Sequence, residues 1–315
     1  MRKNYGLPYQ GSKNQIAEEI IDFLPSGNRL VDLFGGGGGI SHCASLSGKY
    51  KSVLYNEINP LVVKAFSMAI NGEFDNEDRW ISKEEFHKLK TTDPYVAFCF
   101  SFGNCRRTYI YGSYLEPWEK ALHYARVFKD YSLLQDMGIY SSCTQLDVKE
   151  HNDFYLGKYI EWFSKECKDS ETFEKDISVL RKGNCSLDRL QNYEFLTRIR
   201  ELKNTINKGI IETYNGSYLN YNYKKGDIVY CDPPYVETDF RGYGGFNNSE
   251  FFDWVASRPY QVFFSEYEHD YLNDRFYKVW QTEKREVFTS QRATRLETIY
   301  SNMPYKKESK FIFGV

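Results

Sequence analysis

Residues 226–235 read Gly-Asp-Ile-Val-Tyr-Cys-Asp-Pro-Pro-Tyr. Ile228–Cys231 is a short apolar run of β-branched and aromatic residues, which is typical of a buried strand. Pro233 and Pro234 lack an N–H and push the residue before each of them towards extended backbone. The pattern predicts that the strand ends at Cys231 and that Asp232 lies at its carboxyl end, where open α/β sheets bind ligands.

The residues after this strand combine a carboxylate, a backbone carbonyl and an aromatic ring. This set suits a planar base with an exocyclic amine, because Asp232 and the Pro233 carbonyl each accept one N–H while Tyr235 stacks on the ring. An aryl amine is a poor nucleophile, and the two acceptors stabilise the positive charge that develops when it attacks. The competing interpretation is a strand that ends in a proline-rich turn without chemistry.

A second strand pattern, Arg29–Phe34, runs into the glycines Gly35–Gly39 and then into a helix from Ile40. Glycines between a strand and a helix let the backbone approach a ligand closely. A third strand, Ser52–Tyr55, is followed by Glu57, about 20 residues past the glycines, where an acid reaches ribose hydroxyls. These features predict a site for a nucleoside-containing cofactor, and the spacing alone leaves NAD and S-adenosylmethionine open.

The amino-terminal string Tyr9-Gln10-Gly11-Ser12-Lys13 precedes a stretch, Ile16–Leu24, whose apolar residues have helical spacing. The string resembles a truncated P-loop that lacks the upstream glycine, so nucleotide hydrolysis is not predicted. Lys13 supplies a cation near the start of a helix. A solvated surface lysine is the alternative interpretation.

The composition bounds the class of protein. The 315 residues include 41 basic and 43 acidic side chains, a net charge of −2, so a nucleic-acid partner needs local basic patches. The seven cysteines contain no Cys-x-x-Cys pair, which predicts neither a metal site nor a disulfide framework. No apolar run approaches membrane-spanning length and the amino end has no signal segment, so we expect a soluble protein of the reducing cytoplasm.

Residues 72–209 are polar and aromatic and lack strand–glycine–helix units. Helical spacing recurs in this segment, and Ser186 is the expected N-cap of a helix that reaches Ile206. We therefore predict a mostly helical insertion between the third strand and the strand that precedes Asp232.

Two parts of the insertion suit a polyanion because they mix cationic with amide or aromatic side chains. Arg181–Lys208 has seven basic and three acidic residues, although a solvated basic helix face is an equally good interpretation. The other part is Phe98–Tyr109, in which the candidates for phosphate contact and base-edge reading are Asn104, Arg106, Arg107 and Tyr109.

The remainder of the chain completes the predicted sheet. Residues 237–246 are rich in glycine and aromatic residues and are expected to form a mobile loop that closes over a bound base. Asn248 or Ser249 is the expected cap of the next helix, and Gln261–Ser265 is a further strand. The final antiparallel strands are expected at Val279-Trp280, Val287-Phe288 and Phe311–Phe313.

Taken in order, four motifs resemble those of the Dam-like adenine-specific DNA methyltransferases, the alpha arrangement of the amino-methyltransferases. They are Tyr9-x-Gly11-Ser12-Lys13, Asp32-x-Phe34-x-Gly36-x-Gly38, Glu57-x-Asn59 and Asp232-Pro233-Pro234-Tyr235. The resemblance implies an α/β fold: a Rossmann-like seven-stranded mixed sheet with helices on both faces and an antiparallel last strand. Residues 1–71 and 210–315 would form the catalytic domain that binds S-adenosylmethionine, and residues 72–209 an inserted target-recognition domain that binds DNA.

The resemblance also implies roles for the site residues. Lys13 would pair with the cofactor's carboxylate, Glu57 would hold its ribose, and Tyr9 would lie near its methionine end. Phe34 and the glycines would pass under the cofactor. The implied cofactor-binding residues are Tyr9, Lys13, Asp32, Phe34, Gly36, Gly38, Glu57, Asn59, Ser217 and Asp232. The implied catalytic residues, which take the flipped adenine, are Asp232, Pro233, Pro234 and Tyr235.

The sequence departs from the family just ahead of the Ile228–Cys231 strand. The family often carries an acid there that contacts the cofactor's adenine, whereas residues 214–218 read Tyr-Asn-Gly-Ser-Tyr. Asn215 or Ser217 is the expected neutral substitute.

The reaction that follows is methyl transfer from S-adenosylmethionine to N6 of an adenine flipped out of duplex DNA. Methylation of cytosine N4 is the nearest alternative, because cytosine carries the same kind of exocyclic amine. Methylation of RNA, a catalytically silent DNA- or cofactor-binding homologue and a Rossmann dehydrogenase are less favoured. The expected partners are duplex DNA and S-adenosylmethionine, a companion restriction endonuclease is compatible with the family, and we expect a monomer or a weak dimer.

Overall fold

A computed structural model describes residues 4–139, 152–182, 187, 190–236, 245–285 and 294–307. The chain divides into two compact units, one of residues 1–72 and 201–315 and the other of residues 73–200. None of the helices in the described ranges has the length and apolar character needed to cross a membrane. Several predicted features lie outside the described residues: Ser186, most of the loop at 237–246, Val287-Phe288 and Phe311–Phe313.

Seven strands in the described part of the first unit form one sheet. They are β1 (Gly27–Asp32), β2 (Tyr50–Glu57), β3 (Ile211–Asn215), β4 (Asp227–Cys231), β5 (Val262–Tyr267), β6 (Tyr277–Arg285) and β7 (Thr294–Ser301). Their order is β3-β2-β1-β4-β5-β7-β6. The first five strands run parallel, and β7 is antiparallel to both of its neighbours. The predicted seven-stranded mixed sheet is confirmed.

The helices assigned wholly to the first unit are α1 (Ala17–Phe23), α2 (Gly39–Leu46), α3 (Pro60–Asn71), α11 (Asn248–Ala256) and α12 (Asp270–Asn273). Those of the second unit are α4 (Lys83–Leu89), α5 (Pro94–Cys99), α6 (Glu116–His123), α7 (Ser132–Asp136), α8 (Asn152–Glu166) and α9 (Phe173–Arg181). Helix α10 (Gln191–Thr205) ends in the first unit. The described part of the insertion is thus mostly helical, as predicted.

The sheet has helices packed on both faces, because successive side chains of a strand point to opposite sides. Leu30 and Tyr230 belong to a buried cluster with α1 and α2. Val31, which follows Leu30, and Val229, which precedes Tyr230, belong to a second cluster with α11 and α12. The short apolar runs that predict buried strands therefore supply two cores, one on each face.

Strands β1 and β4 are joined at their amino ends by a buried ion pair. The Arg29 guanidinium donates to both carboxylate oxygens of Asp227, from Nε at 2.9 Å and from Nη2 at 2.7 Å. Tyr221 donates its hydroxyl to the same carboxylate at 2.5 Å. Bidentate arginine–carboxylate pairs add directional hydrogen bonds to charge attraction, so this contact fixes the register of β4 beside β1.

The start of α11 differs from the prediction. The expected cap at Asn248 or Ser249 is wrong, because Asn247 is the N-cap and its side chain accepts from the Glu250 N–H at 3.2 Å. Asn248 is already helical, and its side-chain amide donates to the Pro234 carbonyl at 3.0 Å. The helix start therefore holds the loop that follows β4.

Candidate active site

Three carboxylates lie at the carboxyl ends of neighbouring parallel strands. Asp32 is the last residue of β1, Glu57 is the last residue of β2, and Asp232 follows β4 directly. Since β1 lies between β2 and β4, the sheet gathers at one edge three acids that are far apart in sequence. This is the edge at which open α/β sheets bind ligands.

Asp32 is buried, and its surroundings favour the neutral acid. One carboxylate oxygen, Oδ2, accepts from the Ser41 hydroxyl at 2.8 Å. The other, Oδ1, has no hydrogen-bond partner among the described residues. Burial, together with the charges of Asp232 and Glu57, raises the pKa of Asp32 to about 7. A cation placed at this edge would relieve the repulsion among the three carboxylates.

The central positions of the glycine turn after β1 require glycine because of positive φ, close packing or both. Gly36 and Gly38 have φ of +48° and +76°, which L side chains rarely adopt. A Cβ at Gly37 would lie 2.6 Å from Cβ of Tyr9, and one at Gly38 would lie 2.2 Å from the ring of Phe66. The turn is therefore tight against Tyr9 on one side and α3 on the other.

Glu57 closes this turn from the neighbouring strand. Its Oε2 accepts from the Gly36 N–H at 3.0 Å, and its Oε1 accepts from the Asn59 N–H at 2.9 Å. Asn59 in turn caps α3, because its side chain accepts from the Leu61 N–H at 3.0 Å. A carboxylate has about four acceptor positions, so Glu57 keeps capacity for further donors while it holds the turn.

Lys13 lies against the residues that follow β4. Its Nζ is 2.7 Å from Oδ1 of Asp232, 3.4 Å from Oε1 of Glu297 and 4.5 Å from the centre of the Tyr235 ring. Burial alone would lower the pKa of the Lys13 ammonium, but Asp232 and Glu297 outweigh burial and hold it above its ordinary value. Lys13, implied to pair with a cofactor carboxylate, thus contacts the two residues implied to take the adenine.

Two acids that the sequence reasoning missed, Glu266 and Glu297, complete this group. Glu266, on β5, accepts from the Val236 N–H at 3.1 Å and from the Tyr267 N–H at 2.8 Å. Glu297, on β7, accepts from the Tyr235 hydroxyl. Glu266 follows an apolar run as Asp232 does, so its position at the sheet edge could have been predicted from the sequence. Glu297 reaches the edge only because β7 pairs with β5 in antiparallel register, Glu297 opposite Tyr267.

Glu266 provides a test of the site's electrostatics by pH. Burial, with the charge of Glu297 added, raises its pKa from an ordinary 4.5 to about 8. Between these values the folded protein keeps a proton that the unfolded chain has lost, so the free energy of unfolding falls as pH rises from about 5 to 8. Glu266→Gln is expected to remove up to about 1.4 kcal/mol per pH unit from that slope, measured by urea denaturation across this range.

Glu268→Gln is the control for this experiment. A hydrogen bond to Lys278 lowers the pKa of Glu268, so its titration falls below the range tested. Parallel stability curves for wild type and Glu266→Gln would show that Glu266 is ionised throughout and contradict the assignment.

Phe34 and Ser217 flank the same edge. The Phe34 ring packs 5.3 Å from the Tyr218 ring and 5.5 Å from the Phe251 ring, measured between centres. The Ser217 hydroxyl accepts from the Leu219 N–H at 3.2 Å and so caps a short turn directly after β3. Asn215, the other expected substitute for the family's acid, donates its side-chain amide to the carbonyls of Glu57 and Ile58.

The candidate DNA-binding residues of the second unit lie on a tight hairpin. Ser101 and Tyr109 form an antiparallel bridge, and Phe102 donates its N–H to the Thr108 carbonyl at 2.8 Å. Asn104 and Arg106 have φ of +55° and +58°, unusual values for residues other than glycine. The Arg106 guanidinium lies 5.8 Å from the centre of the Phe98 ring.

The two remaining candidates of the hairpin differ in exposure. Arg107 is exposed, and a surface cavity lined also by Lys83, His87 and Phe102 adjoins it. Tyr109 is buried and donates its hydroxyl to the Ile81 carbonyl at 2.8 Å. Tyr109 therefore anchors the base of the hairpin, while Arg107 is presented to solvent.

Comparison with known protein families gives an extended match. A family model described as D12 class N6 adenine-specific DNA methyltransferase matches residues 9–174 and 185–305. The match begins at Tyr9 and includes all four motifs quoted above, strands β3 to β7, and the insertion except for residues 175–184.

Proposed function

Because the chain belongs to the D12 class of N6 adenine-specific DNA methyltransferases, we propose that Asp232, Pro233, Pro234 and Tyr235 take the flipped adenine and that S-adenosylmethionine is the methyl donor. The observation that carries this assignment is the meeting of Asp232, Tyr235 and Lys13 at the carboxyl end of β4. Methyl transfer is assigned to residues 1–71 and 210–315, and target recognition to residues 72–209.

The residues at the sheet edge fit such a donor. S-Adenosylmethionine carries a positive sulfonium and a ribose, and the edge offers a cluster of carboxylates in which Asp32 keeps one buried oxygen without a hydrogen-bond partner among the described residues. We assign Glu57 to the ribose hydroxyls, and Asp32 and the Gly36–Gly38 turn to the remainder of the cofactor. Tyr9, Phe34 and Ser217, which lie at this turn or beside it, complete the proposed binding residues, and Asn59 contributes by orienting Glu57.

When bound, S-adenosylmethionine supplies an electrophilic methyl group, and the chain's own residues prepare the amine that accepts it. The Asp232 carboxylate and the Pro233 carbonyl each accept one N–H of the adenine amine, and the carboxylate stabilises the positive charge that develops on it. Asn248 holds the Pro234 carbonyl, which keeps this acceptor pair in place. Tyr235 stacks on the base and offsets part of the few kcal/mol that flipping costs.

The DNA contacts are proposed from the hairpin of the second unit. Arg106 and Arg107 are assigned to phosphates or guanine edges, and Asn104 to base edges. Asn104 Oδ1 is buried and has no hydrogen-bond partner within the described residues. Arg106 and Arg107 follow Asn104 in the same hairpin. Tyr109 is assigned to the support of the hairpin because its hydroxyl is already bonded within the unit.

Arg107→Ala is expected to weaken the binding of duplex DNA and to lower the slope of log Kd against log salt concentration by about one. The reason is that the exposed guanidinium neutralises one phosphate and releases its counterion. Titrations of a labelled duplex at several salt concentrations measure the slope. Lys168→Ala, an exposed cation outside both predicted basic segments, is the matched control, and an unchanged slope for Arg107→Ala removes this residue from the interface.

The proposed function is tested with labelled S-adenosylmethionine and unmethylated duplex DNA, followed by nucleoside analysis of the product. N6-methyladenine supports the assignment, whereas N4-methylcytosine would overturn the choice of base. Label in RNA and none in DNA would overturn the choice of substrate. Duplex DNA and S-adenosylmethionine are thus the required partners. A cytoplasmic location, a companion restriction endonuclease and a monomeric or weakly dimeric state remain parts of the proposal.

A further inference from the structure

Glu297 is a fully buried acid that none of the four motifs includes. Its Oε1 accepts from the Tyr235 hydroxyl and lies 3.4 Å from Nζ of Lys13. The side chain of Glu297 is 0% exposed and that of Lys13 is 5% exposed. An acid so deeply buried is retained only where its charge is paired and hydrogen-bonded. Of its two partners, Tyr235 is proposed to take the adenine, and Lys13 contacts both Asp232 and Tyr235.

Lys13 is shared between two carboxylates of unequal distance. Its Nζ is 2.7 Å from Asp232 and 3.4 Å from Glu297. Lys13 contacts Oδ1 of Asp232, and an adenine amine that donates to the same carboxylate shares its charge with Lys13, so the contact of Lys13 with Asp232 weakens. A buried ammonium without a nearby carboxylate is strongly disfavoured. Glu297 is the anion within reach that keeps Lys13 paired when Asp232 turns to the base.

Tyr235 is held by the same acid. Its ring meets the Tyr267 ring edge-on, with 4.8 Å between centres and an angle of 88°, and its hydroxyl is fixed by Glu297. Two contacts at different points of the ring determine its plane. Since stacking depends on the orientation of the ring face, the hydrogen bond to Glu297 sets the surface on which the base rests.

We propose that Glu297 is a positioning residue for methyl transfer: it orients Tyr235 through the phenolic hydroxyl and retains Lys13 when the adenine amine takes Asp232. This inference rests on the proposed function of Asp232 and Tyr235 and adds a residue to it. Glu297 does not touch the base in this account. It acts through Tyr235, which stacks on the base, and through Lys13, which shares Asp232 with the base.

The test compares Glu297→Gln, Tyr235→Phe and the double variant in single-turnover methylation at saturating duplex DNA and S-adenosylmethionine. Glu297→Gln removes the charge that pairs with Lys13 and leaves a weaker, neutral acceptor for the Tyr235 hydroxyl, whereas Tyr235→Phe removes the hydrogen bond outright. Each is expected to lower the rate at least about tenfold. The double variant is expected to be no more than about threefold slower than Glu297→Gln alone, because both changes act on the same contact. The Kd for S-adenosylmethionine, measured by equilibrium binding, is expected to change less than about threefold.

Glu283→Gln, an exposed acid on the neighbouring strand β6, is the matched control and is expected to keep the wild-type rate. A wild-type rate in Glu297→Gln overturns the proposal, and so do losses that multiply in the double variant. If Glu297→Gln does not fold, Tyr235→Phe decides, since it preserves volume and removes only the hydroxyl. A wild-type rate in that variant overturns the proposal.

Failure of the inference is separable from failure of the proposed function. Wild-type protein that forms no N6-methyladenine contradicts the function itself. Wild-type protein that forms it, together with variants as fast as wild type, contradicts only the role of Glu297.

Discussion

Asp232→Ala is expected to lower the rate of adenine methylation on the order of 10³-fold, at the upper end of the effects seen when one preorganised charge-stabilising group is removed. In its proposed role, the carboxylate accepts an N–H from the adenine amine and offsets the positive charge that develops there. Its loss also leaves Lys13 with Glu297 as the remaining carboxylate of the two it contacts. Single-turnover assays at saturating substrates measure the change directly.

Binding of the cofactor is expected to survive Asp232→Ala, because the glycine turn and Glu57 are assigned to it and remain intact. Asp232→Asn separates the two parts of the role, since the amide keeps an acceptor oxygen but loses the charge. We expect it to be nearly as slow as the alanine variant. Asp253→Ala, which removes an exposed acid on α11, controls for general effects. Full activity in Asp232→Ala would refute the assigned role.

Gly38→Ala is expected to destabilise the first unit by several kcal/mol. The residue has φ of +76°, which costs an L side chain about 1–2 kcal/mol. Its new Cβ would also lie 2.2 Å from the Phe66 ring. Such overpacking costs typically about 1–3 kcal/mol more, and the ring can move only by disturbing α3.

Gly48→Ala isolates the steric part of this effect. Gly48 has a similar φ of +69°, but nothing lies within 4 Å of the Cβ that alanine would add. The difference between the two variants in urea denaturation therefore measures the contact with Phe66 alone. Equal losses in both variants would contradict the account of the turn, and a loss of cofactor binding confined to Gly38→Ala would support it.

The strands that could be predicted are those that contain a run of consecutive apolar residues. Strands β1, β2, β4 and β5 contain apolar runs that end in polar residues at the sheet edge, and all four were predicted. The strand predicted at Val279-Trp280 is confirmed as part of β6. Strand β3 carries mostly exposed side chains and β7 carries the buried acid Glu297. Neither gives an apolar run, so periodicity cannot identify them, and only pairing with a neighbour defines them.

The site residues that could be predicted are likewise those marked by a local sequence pattern. Asp232, Glu57 and the glycine turn follow from strands that end where the chain changes character. The contact of Lys13 with Asp232 and Glu297 joins three distant parts of the chain, and nothing local to any of them indicates it. The division of labour among the five glycines was also unreadable, because it depends on Tyr9, Tyr55 and Phe66 packing against them.

The position of β4 in the middle of the sheet has a consequence for synthesis on the ribosome. Arg29 of β1 and its partner Asp227 of β4 are 198 residues apart. Strands β1 and β2 therefore emerge early and wait, with an unpaired apolar edge, until the whole insertion has been translated. Such an edge is a template for aggregation. The entropy cost of closing a long loop grows only slowly with its length, so the time for which the edge stays unpaired is a greater hazard than the length of the loop. Early folding of residues 73–200 would shorten the search for β4.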